Sequence, residues 1–298
     1  MKQHRSSPKL LIALYLLPSI TILVMYRWIP VVWNFVISFQ DWKPLGRSEL
    51  VGFENYLKLV ADPVFWQSLW NTLAYFFVGT PIAILTALLL AMFVNSPIRG
   101  RNAYRTIVFL PYVITPVAIG LIWTWMLNDR VGLVNFVLQG AGITEEPIAF
   151  LQSFSLALPT IIAITVWQVV GYFMLLILSG LQTVPKSLYE VAIIDGAGPL
   201  RRMVRITLPL IKSTLFLCFT IGMINSFAVF DIVYVTTGGG PGHATEFLIT
   251  QIYKAAFEYN RMGYAAATTV VMFLLLWSLT LASNRLAGGE AGGARVYE

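Results

Sequence analysis

Long apolar runs alternate with short polar segments along the chain. Each run holds about 20 or more mostly apolar residues, the length at which an α-helix crosses a hydrocarbon core about 30 Å thick. No soluble domain interrupts the runs, so the pattern predicts an all-α, polytopic integral membrane protein that forms a single transmembrane domain over residues 1–298. The six predicted spans are Leu10–Phe39, Ser68–Val94, Thr106–Leu127, Ser155–Leu181, Leu210–Val235 and Tyr264–Asn284.

The first run is longer than one crossing requires. Pro18 and Pro30 are expected to kink it or to end its helical pieces. A cleaved signal peptide is the alternative interpretation, because basic residues precede the run. However, Arg27 interrupts it and no small-residue cleavage site is visible, so we expect the segment to be retained as a span.

Three segments between the runs carry signals of their own. Residues 41–66 contain Trp and Tyr residues, which collect at water–membrane interfaces. Residues 128–154 are rich in glycine and are expected to form a loop with short helical turns. After a sharp break at residues 238–242, apolar residues recur at helical spacing up to Tyr259. We expect this helix on the outer surface, as an interfacial anchor or as a docking site for an external partner.

The composition excludes an ordinary soluble domain. Hydrophobic residues make up 57% of the chain and charged residues only 11%, with a mean hydropathy of +0.74, whereas about 25% charge is usual in soluble domains. Cys218 is the single cysteine, so no disulfide framework is expected. His4 and His243 are far apart in the sequence, and the pattern predicts no metal site.

The distribution of basic residues predicts the orientation in the membrane. With six spans, both termini and the segments 96–105 and 182–209 lie on one side, and this side carries twelve Lys and Arg residues against six on the other. Because basic loops resist translocation, the first side is predicted to be cytoplasmic. The basic residues that give the net charge of +6 then serve mostly to set the orientation in the membrane, and no nucleic-acid partner is predicted.

The segment between the fourth and fifth spans has a pattern of its own. Val184, Leu188, Val191 and Ile194 are spaced to form one apolar stripe on a short helix. Pro185 suits the first turn of such a helix. Gly196 can end it with a positive φ. Residues 182–209 are therefore predicted to form a compact helical hairpin with a basic flank. A loop whose charges only hold the topology is the alternative.

The sequence YEVAIIDGAGPLRRMVRITLP, residues 189–209, resembles the EAA loop of permease subunits in binding-protein-dependent ATP-binding-cassette (ABC) importers. Val191 stands where the family has alanine. The resemblance implies a cytoplasmic coupling hairpin that the ATPase subunit grips, with an acidic residue that pairs with a basic residue of the ATPase. The matching coupling positions are Glu190, Ala192, Asp195, Gly196, Ala197, Ile206, Leu208 and Pro209.

The same resemblance implies the function and the partners. The chain is expected to be a permease subunit that works by alternating access in a bacterial cytoplasmic (inner) membrane, together with a second homologous permease, two ABC ATPase subunits and an extracytoplasmic solute-binding protein. It contains no G-x-x-x-x-G-K-[ST] loop. We therefore predict that it is not an enzyme and holds no cofactor, and that ATP and Mg²⁺ bind to the partner ATPases.

Three further segments resemble the carbohydrate-uptake branch of these importers, in particular the first permease of maltose-, trehalose- or glycerol-3-phosphate-type systems. They are GFENY at 52–56, WQSLWNT at 66–72 and TTGGGPGHATEFL at 236–248. No external segment is long enough for the large insert of maltose permeases. The resemblance implies a sugar pocket lined by Thr165, Gln168, Val169, Tyr172, Gly222, Ser226 and Val229, with Asn225 adjacent.

Physical reasoning supports some of these positions and leaves alternatives open. Thr165, Gln168 and Tyr172 share a helix face, and polar groups inside spans are costly unless they have a role. Hydrogen bonding between helices is the alternative role. Arg27 and Asp231 are the two charged residues within the apolar runs, and three roles are open for them. Both side chains can snorkel to the interface, the two can form an ion pair, or Arg27 can bind an anionic substrate.

Two other functions compete with sugar import. An ion-coupled secondary transporter predicts related halves, broken helices and carboxylates at mid-membrane, and the sequence shows none of these patterns. An ABC permease for a non-carbohydrate solute such as glycerol-3-phosphate is the second alternative. A membrane-embedded enzyme predicts a paired nucleophile and base within the spans, and no such pair is visible.

Overall fold

A computed structural model describes residues 8–43 and 48–287, and helices dominate this part of the chain. The helices are α1 (Pro8–Leu23), α2 (Ile29–Ile37), α3 (Glu54–Ala61), α4 (Pro63–Ala74), α5 (Thr80–Asn95), α6 (Arg101–Val113), α7 (Pro116–Met126), α8 (Leu133–Gly140), α9 (Ala157–Gln182), α10 (Lys186–Ile194), α11 (Pro199–Arg202), α12 (Leu208–Leu210), α13 (Lys212–Phe227), α14 (Asp231–Thr236), α15 (Leu248–Tyr253) and α16 (Met262–Ala287). Strands β1 (Gln40–Asp41) and β2 (Glu49–Leu50) form a small antiparallel pair.

Four π-helical segments join or extend these helices, namely Val24–Trp28, Tyr75–Gly79, Met203–Thr207 and Lys254–Glu258. The all-α class is confirmed by this architecture. The chain divides into two compact units, residues 1–62 with 252–271 and residues 63–251 with 272–298. Whether the whole chain acts as one transmembrane domain stays a prediction.

In the first unit, buried polar side chains hold short segments together. The amide of Asn55 on α3 donates hydrogen bonds to the carbonyl oxygens of Ser38 and Gln40, each at 3.0 Å. The hydroxyl of Tyr264 donates to a carboxylate oxygen of Asp62 at 2.6 Å. Each of these buried donors thus has an acceptor. The hydrogen bonds of Asn55 hold α3 against the end of α2 and strand β1.

In the second unit, α5, α9 and α13 pack into the larger core. Ala83, Ala87 and Ala91 recur every four residues on α5 and are almost fully buried. Small residues on one face let helix backbones approach closely in a membrane protein. Met174 and Ile177 of α9 fill the space that the alanines leave. A second core surrounds Ile119, Ile161, Val233 and Phe247.

Six spans were predicted, and the helices give six only if two bent helix pairs are each counted as one span. Within residues 8–43 and 48–287, four helical runs are long and apolar enough to cross a membrane, namely Leu14–Ile37, Pro63–Asn95, Ala157–Gln182 and Met262–Arg285. The count reaches six if each of two bent helix pairs is one span. In the first run, neither proline ends the helical path, because α1 continues through Pro18 and Pro30 lies in the first turn of α2.

The third predicted span, 106–127, is not one continuous helix. It consists of α6 and α7, which meet at an angle of 96°. Ile114 and Thr115 between them are extended. Pro116 contributes to the break, because proline disfavours the helical conformation of the residue before it, here Thr115. Broken helices, which we expected only of an ion-coupled transporter, are therefore present.

The fifth predicted span, 210–235, is also wrong in its bounds. Helix α13 ends at Phe227, and a short gap precedes α14 at Asp231. At its other end, α13 meets the helical run Pro199–Leu210 at 70°. Ile232 and Val233 of α14 are buried in the second core, so tertiary packing redirects the chain there.

The segments predicted to connect the spans have the expected character. Residues 128–154 contain loops and the short α8, and the apolar repeat up to Tyr259 forms α15 and its π-helical extension. The glycine-rich break contains Gly238, Gly239 and Gly242 at positive φ. Residues 1–7, 44–47 and 288–298 lie outside the described residues. They include the glycine-rich segment 288–294, whose composition predicts a flexible end.

Candidate functional site

The predicted hairpin is present as α10, a glycine turn and the run from α11 to α12. Helix α10 ends in a pair of crossed backbone hydrogen bonds. The Gly196 N–H donates to the Ile193 carbonyl at 3.0 Å, and the Ala197 N–H donates to the Ala192 carbonyl at 2.8 Å. This is the Schellman arrangement, which requires a left-handed residue at the position of Gly196, whose φ is +71°. Pro185 lies just before the first turn, not in it, as the N-cap residue.

The two limbs of the hairpin are tied together by side chains. The hydroxyls of Tyr189 and Thr207 share a hydrogen bond of 2.9 Å. Ala192 is buried, and Leu208 packs against the larger core. These contacts fix the hairpin to the ends of α5 and α9. The hairpin is therefore packed against the larger core instead of projecting freely from it.

The four residues of the apolar stripe predicted for α10 differ in their burial. Only Val184 is buried, while Leu188, Val191 and Ile194 are exposed, Ile194 at 85%. The face of α10 that packs inward instead carries Tyr189 and Ala192. Periodicity gave the helix correctly but not which side faces the chain's own core.

The outer side of the hairpin combines apolar and charged groups. The other predicted coupling residues lie here or at its edge: Glu190, Asp195, Gly196 and Pro209 are exposed, and Ala197 and Ile206 are half-buried. The exposed apolar side chains on the hairpin are Leu188, Val191, Ile193, Ile194, Leu200 and Val204. Several exposed apolar side chains on one short segment are compatible with a docking site.

A second candidate site is a cavity of about 160 Å³ between α7, α9, α13 and α14. Its wall is mostly apolar, and we call it the polar cavity for the side chains of Thr165, Gln168, Asn225 and Asp231 that line it. Five of the eight residues predicted to bind substrate line it, namely Thr165, Gln168, Val169, Asn225 and Val229. Tyr75, Pro116, Ala228, Phe230, Asp231 and Ile232 complete its wall. The structure thus brings together side chains that are up to about 150 positions apart in the sequence.

The hydrogen bonds of two residues show what this cavity can offer a ligand. The Thr165 hydroxyl is committed to its own helix, at 2.8 Å from the Ile161 carbonyl and 3.0 Å from that of Ile162. The Gln168 amide donates a long bond of 3.4 Å to Ile114, at the break in the third span. A bond this long is weak. Gln168 can therefore exchange this partner for a ligand at little cost.

The other three predicted substrate residues lie outside this cavity. Tyr172 stacks on Tyr112 with ring centroids 4.6 Å apart. Gly222 lies against the side chain of Thr80. Ser226 donates to the Gly222 carbonyl at 2.7 Å and shares a 3.1 Å hydrogen bond with Thr80. Ser226 thus makes the bond between helices that was the alternative to a binding role. All eight assignments remain predictions.

The two charges noted within the apolar runs occupy different surroundings. Asp231 begins α14 and borders the polar cavity, so it is not simply at the outer end of a span. Arg27 lies exposed in the π-helical segment Val24–Trp28. An ion pair between them stays a hypothesis.

Sequence reasoning missed some residues of the cavity wall. Pro116 carried a signal, because a proline inside an apolar run predicts a break and hence a site for irregular backbone. Tyr75, which is buried, carried none, since it lies in a run of aromatic residues. A wider cavity of about 870 Å³ beside α5, α6 and α9 is lined almost wholly by apolar residues. It offers few hydrogen bonds to a hydroxylated solute.

Comparison with known proteins agrees with this architecture. Residues 65–288 match the family described as "Binding-protein-dependent transport system inner membrane component". The trehalose/maltose transport system permease protein MalF of Thermococcus litoralis is 34% identical over 272 residues, 90% of either chain. The sulfoquinovosyl glycerol transport system permease protein SmoG of Agrobacterium fabrum is 34% identical over 283 residues, 93% of this chain and 90% of its own.

The fold also has a close solved counterpart. A chain from the crystal structure of a bacterial alginate ABC transporter, in complex with an alginate pentasaccharide-bound periplasmic protein, superimposes with a TM-score of 0.83. The match covers 94% of both chains at 23% sequence identity, so it bears on the fold alone. Together with the family match, these similarities show that the chain belongs to the inner membrane components of binding-protein-dependent ABC transport systems.

Proposed function

We propose that this chain is the permease subunit of an ATP-driven importer for a sugar or a related polyol. It acts as one domain over residues 1–298 in the bacterial cytoplasmic membrane, with both termini, the coupling loop 182–209 and the tail 285–298 in the cytoplasm. A second permease, two ATPases that bind ATP and Mg²⁺, and an external solute-binding protein complete the transporter. Alternating access moves the solute.

The observation that carries the coupling role is the construction of the hairpin. Its outer side exposes Val191, Ile193 and Ile194 beside the carboxylate of Glu190. Its inner side is tied down by Tyr189 and by the Schellman turn. A partner protein that covers this surface buries apolar side chains and forms a charge pair with Glu190. Because the hairpin is attached rigidly, movement of that partner is carried to α5 and α9.

Two observations support a sugar as the solute. The permeases MalF and SmoG are named for the transport of trehalose and maltose and of sulfoquinovosyl glycerol. The polar cavity offers the amides of Gln168 and Asn225 and the ring of Phe230, which suit the hydroxyls and the apolar face of a sugar. The carboxylate of Asp231 at the same cavity repels a phosphate, which favours a sugar over glycerol-3-phosphate.

The test is uptake by vesicles that contain the whole transporter, with ATP inside and the cognate binding protein outside. We expect a sugar from a panel to accumulate, and we expect the Glu190→Ala variant to abolish accumulation. In the assembled transporter, Glu190 is proposed to pair with a basic residue of the ATPase. Replacing Glu190 by alanine leaves that basic residue buried and unpaired, which weakens ATPase binding by about 3–5 kcal/mol. Less ATPase should therefore co-purify with this variant.

Glu145→Ala is the matched control, since Glu145 is also an exposed carboxylate but lies in the segment 128–154. This control should accumulate sugar at the rate of the unmodified protein. Normal uptake by Glu190→Ala would falsify the coupling role. Uptake of amino acids or metal ions with no uptake of sugars would overturn the substrate class and leave the coupling role intact.

A further inference from the structure

A small polar cavity of about 210 Å³ lies where the coupling hairpin joins the ends of α5 and α9. Its polar lining comes from Asn95 at the end of α5, Tyr189 on α10, Arg202 on α11 and Thr207 after it. None of these residues belongs to the positions proposed for ATPase coupling or for substrate binding. The cavity therefore lies within the hairpin's attachment to the spans, and its lining residues are distinct from the positions predicted to contact the ATPase or the substrate.

The strongest indication of a ligand is the side chain of Arg202. Its Nε is buried and has no hydrogen-bond partner within residues 8–43 and 48–287. A buried donor without an acceptor is costly, and natural structures rarely leave one, least of all on a charged group. An anion in the cavity would satisfy it, because a guanidinium presents several donors in a planar fork that matches an oxyanion.

The two hydroxyls in the cavity provide another donor. Tyr189 and Thr207 share one hydrogen bond of 2.9 Å, which uses one of their two protons. The second proton has no partner in the described part of the chain. The exposed fraction of Thr207 is only 5%, so its hydroxyl is held in place. Asn95 adds amide donors at the open side of the cavity.

The two segments of the chain that supply most of the polar lining are basic overall, which favours an anion. Residues 95–105 and 184–212 contain eight basic residues and two acidic ones, Glu190 and Asp195. The eight basic residues are Arg99, Arg101, Arg105, Lys186, Arg201, Arg202, Arg205 and Lys212. Such an excess attracts anions to the surface before any specific contact forms.

We propose that this cavity binds a phosphate group through Arg202, Asn95 and the Tyr189–Thr207 pair. Donors that approach from several directions suit a tetrahedral oxyanion with acceptors on every side. Two sources share this chemistry, free phosphate and the headgroup of an anionic phospholipid, because basic pockets at the cytoplasmic ends of spans also bind headgroups. In either case the ligand bridges both limbs of the hairpin and the end of α5. It thereby stiffens the joint through which the hairpin moves the spans.

Binding is tested on the purified full chain in dodecyl maltoside, a detergent without phosphate, by equilibrium dialysis against ³²P-labelled inorganic phosphate. In a second arm, the chain is placed in nanodiscs of phosphatidylcholine with phosphatidylglycerol, extracted, and its retained lipids are counted by native mass spectrometry. The variants are Arg202→Gln and Asn95→Ala, and Arg201→Gln is the control. Arg201 is next in sequence, equally charged, exposed and outside the cavity.

We expect Arg202→Gln to weaken phosphate binding by about tenfold or more, or to lose one retained phosphatidylglycerol, while Arg201→Gln changes neither. Asn95 is exposed, so Asn95→Ala should fold normally and weaken the same binding by about 2–10-fold. An effect in the first arm identifies free phosphate, and an effect in the second identifies the lipid headgroup. Equal behaviour of the Arg202 and Arg201 variants in both arms, together with no effect of Asn95→Ala, overturns the proposal.

Discussion

At the scale of single residues, Gln168 and Ser226 show that the role of a buried polar group in a span can be interpreted only from its surroundings. Both lie in apolar helices and both were predicted to bind substrate. Ser226 is satisfied by Gly222 and Thr80. Gln168 has one long bond and lines the polar cavity. The first environment favours a structural role and the second favours ligand binding.

This difference predicts opposite effects of two substitutions. Gln168→Ala should raise the KM for sugar uptake by about 2–10-fold, the value of one neutral hydrogen bond to the ligand, and should leave the thermal unfolding midpoint nearly unchanged. Ser226→Ala should lower the unfolding midpoint of the purified chain, because Thr80 loses its partner, and should leave KM unchanged. Vesicle uptake and thermal unfolding measure the two effects. An unchanged KM in Gln168→Ala removes this residue from the binding site.

At the scale of elements, close helix contacts decide where the broken third span can lie. Gly171, in the middle of α9, contacts the backbone of α6 so closely that an added Cβ would overlap the Val108 carbonyl and come within 2.7 Å of the Phe109 Cα. Backbone atoms cannot rotate away as a flexible side chain can. Gly171 is thus the residue that lets α6 rest directly on α9.

We expect Gly171→Ala to destabilise the purified chain by about 1–3 kcal/mol, as overpacking typically does, and to lower its thermal unfolding midpoint. Gly140→Ala is the control, since Gly140 is also helical but has open space where a Cβ would lie. That variant should be neutral or slightly stabilised. If Gly171→Ala unfolds at the temperature of the control, the close packing of α6 on α9 is not important for stability.

At the scale of the whole molecule, the orientation in the membrane still rests on the distribution of basic residues. It predicts that α10 faces the cytoplasm and that α8 faces outward. The chain offers a clean test, because its single cysteine, Cys218, is fully buried and can be replaced by alanine. Ser187 on α10 and Ala141 after α8 are both exposed, and cysteine is a small change at either position.

In the Cys218→Ala background, a membrane-impermeant maleimide should label Ala141→Cys in intact cells. It should label Ser187→Cys only after the membrane is opened. The readout is a gel shift with a large maleimide reagent. Labelling of Ser187→Cys in intact cells would place the hairpin outside and remove the basis for ATPase coupling.

The sequence by itself determined the membrane class, the helical architecture and the helical hairpin over residues 182–209. These features depend on local properties: runs of apolar residues long enough to span a membrane, and a glycine at the turn where Gly196 has a positive φ. The hairpin motif also sufficed to suggest the ABC permease family to which the chain belongs.

Only the tertiary structure decided which faces are buried and where the spans break. The stripe of Leu188, Val191 and Ile194 has the right period but is exposed, since periodicity cannot tell a chain's own core from a partner's surface. The end of α13 and the start of α14 depend on packing against distant residues. The polar cavity exists because α7, α9, α13 and α14 meet there. Such contacts join positions far apart in the chain, and no local pattern records them.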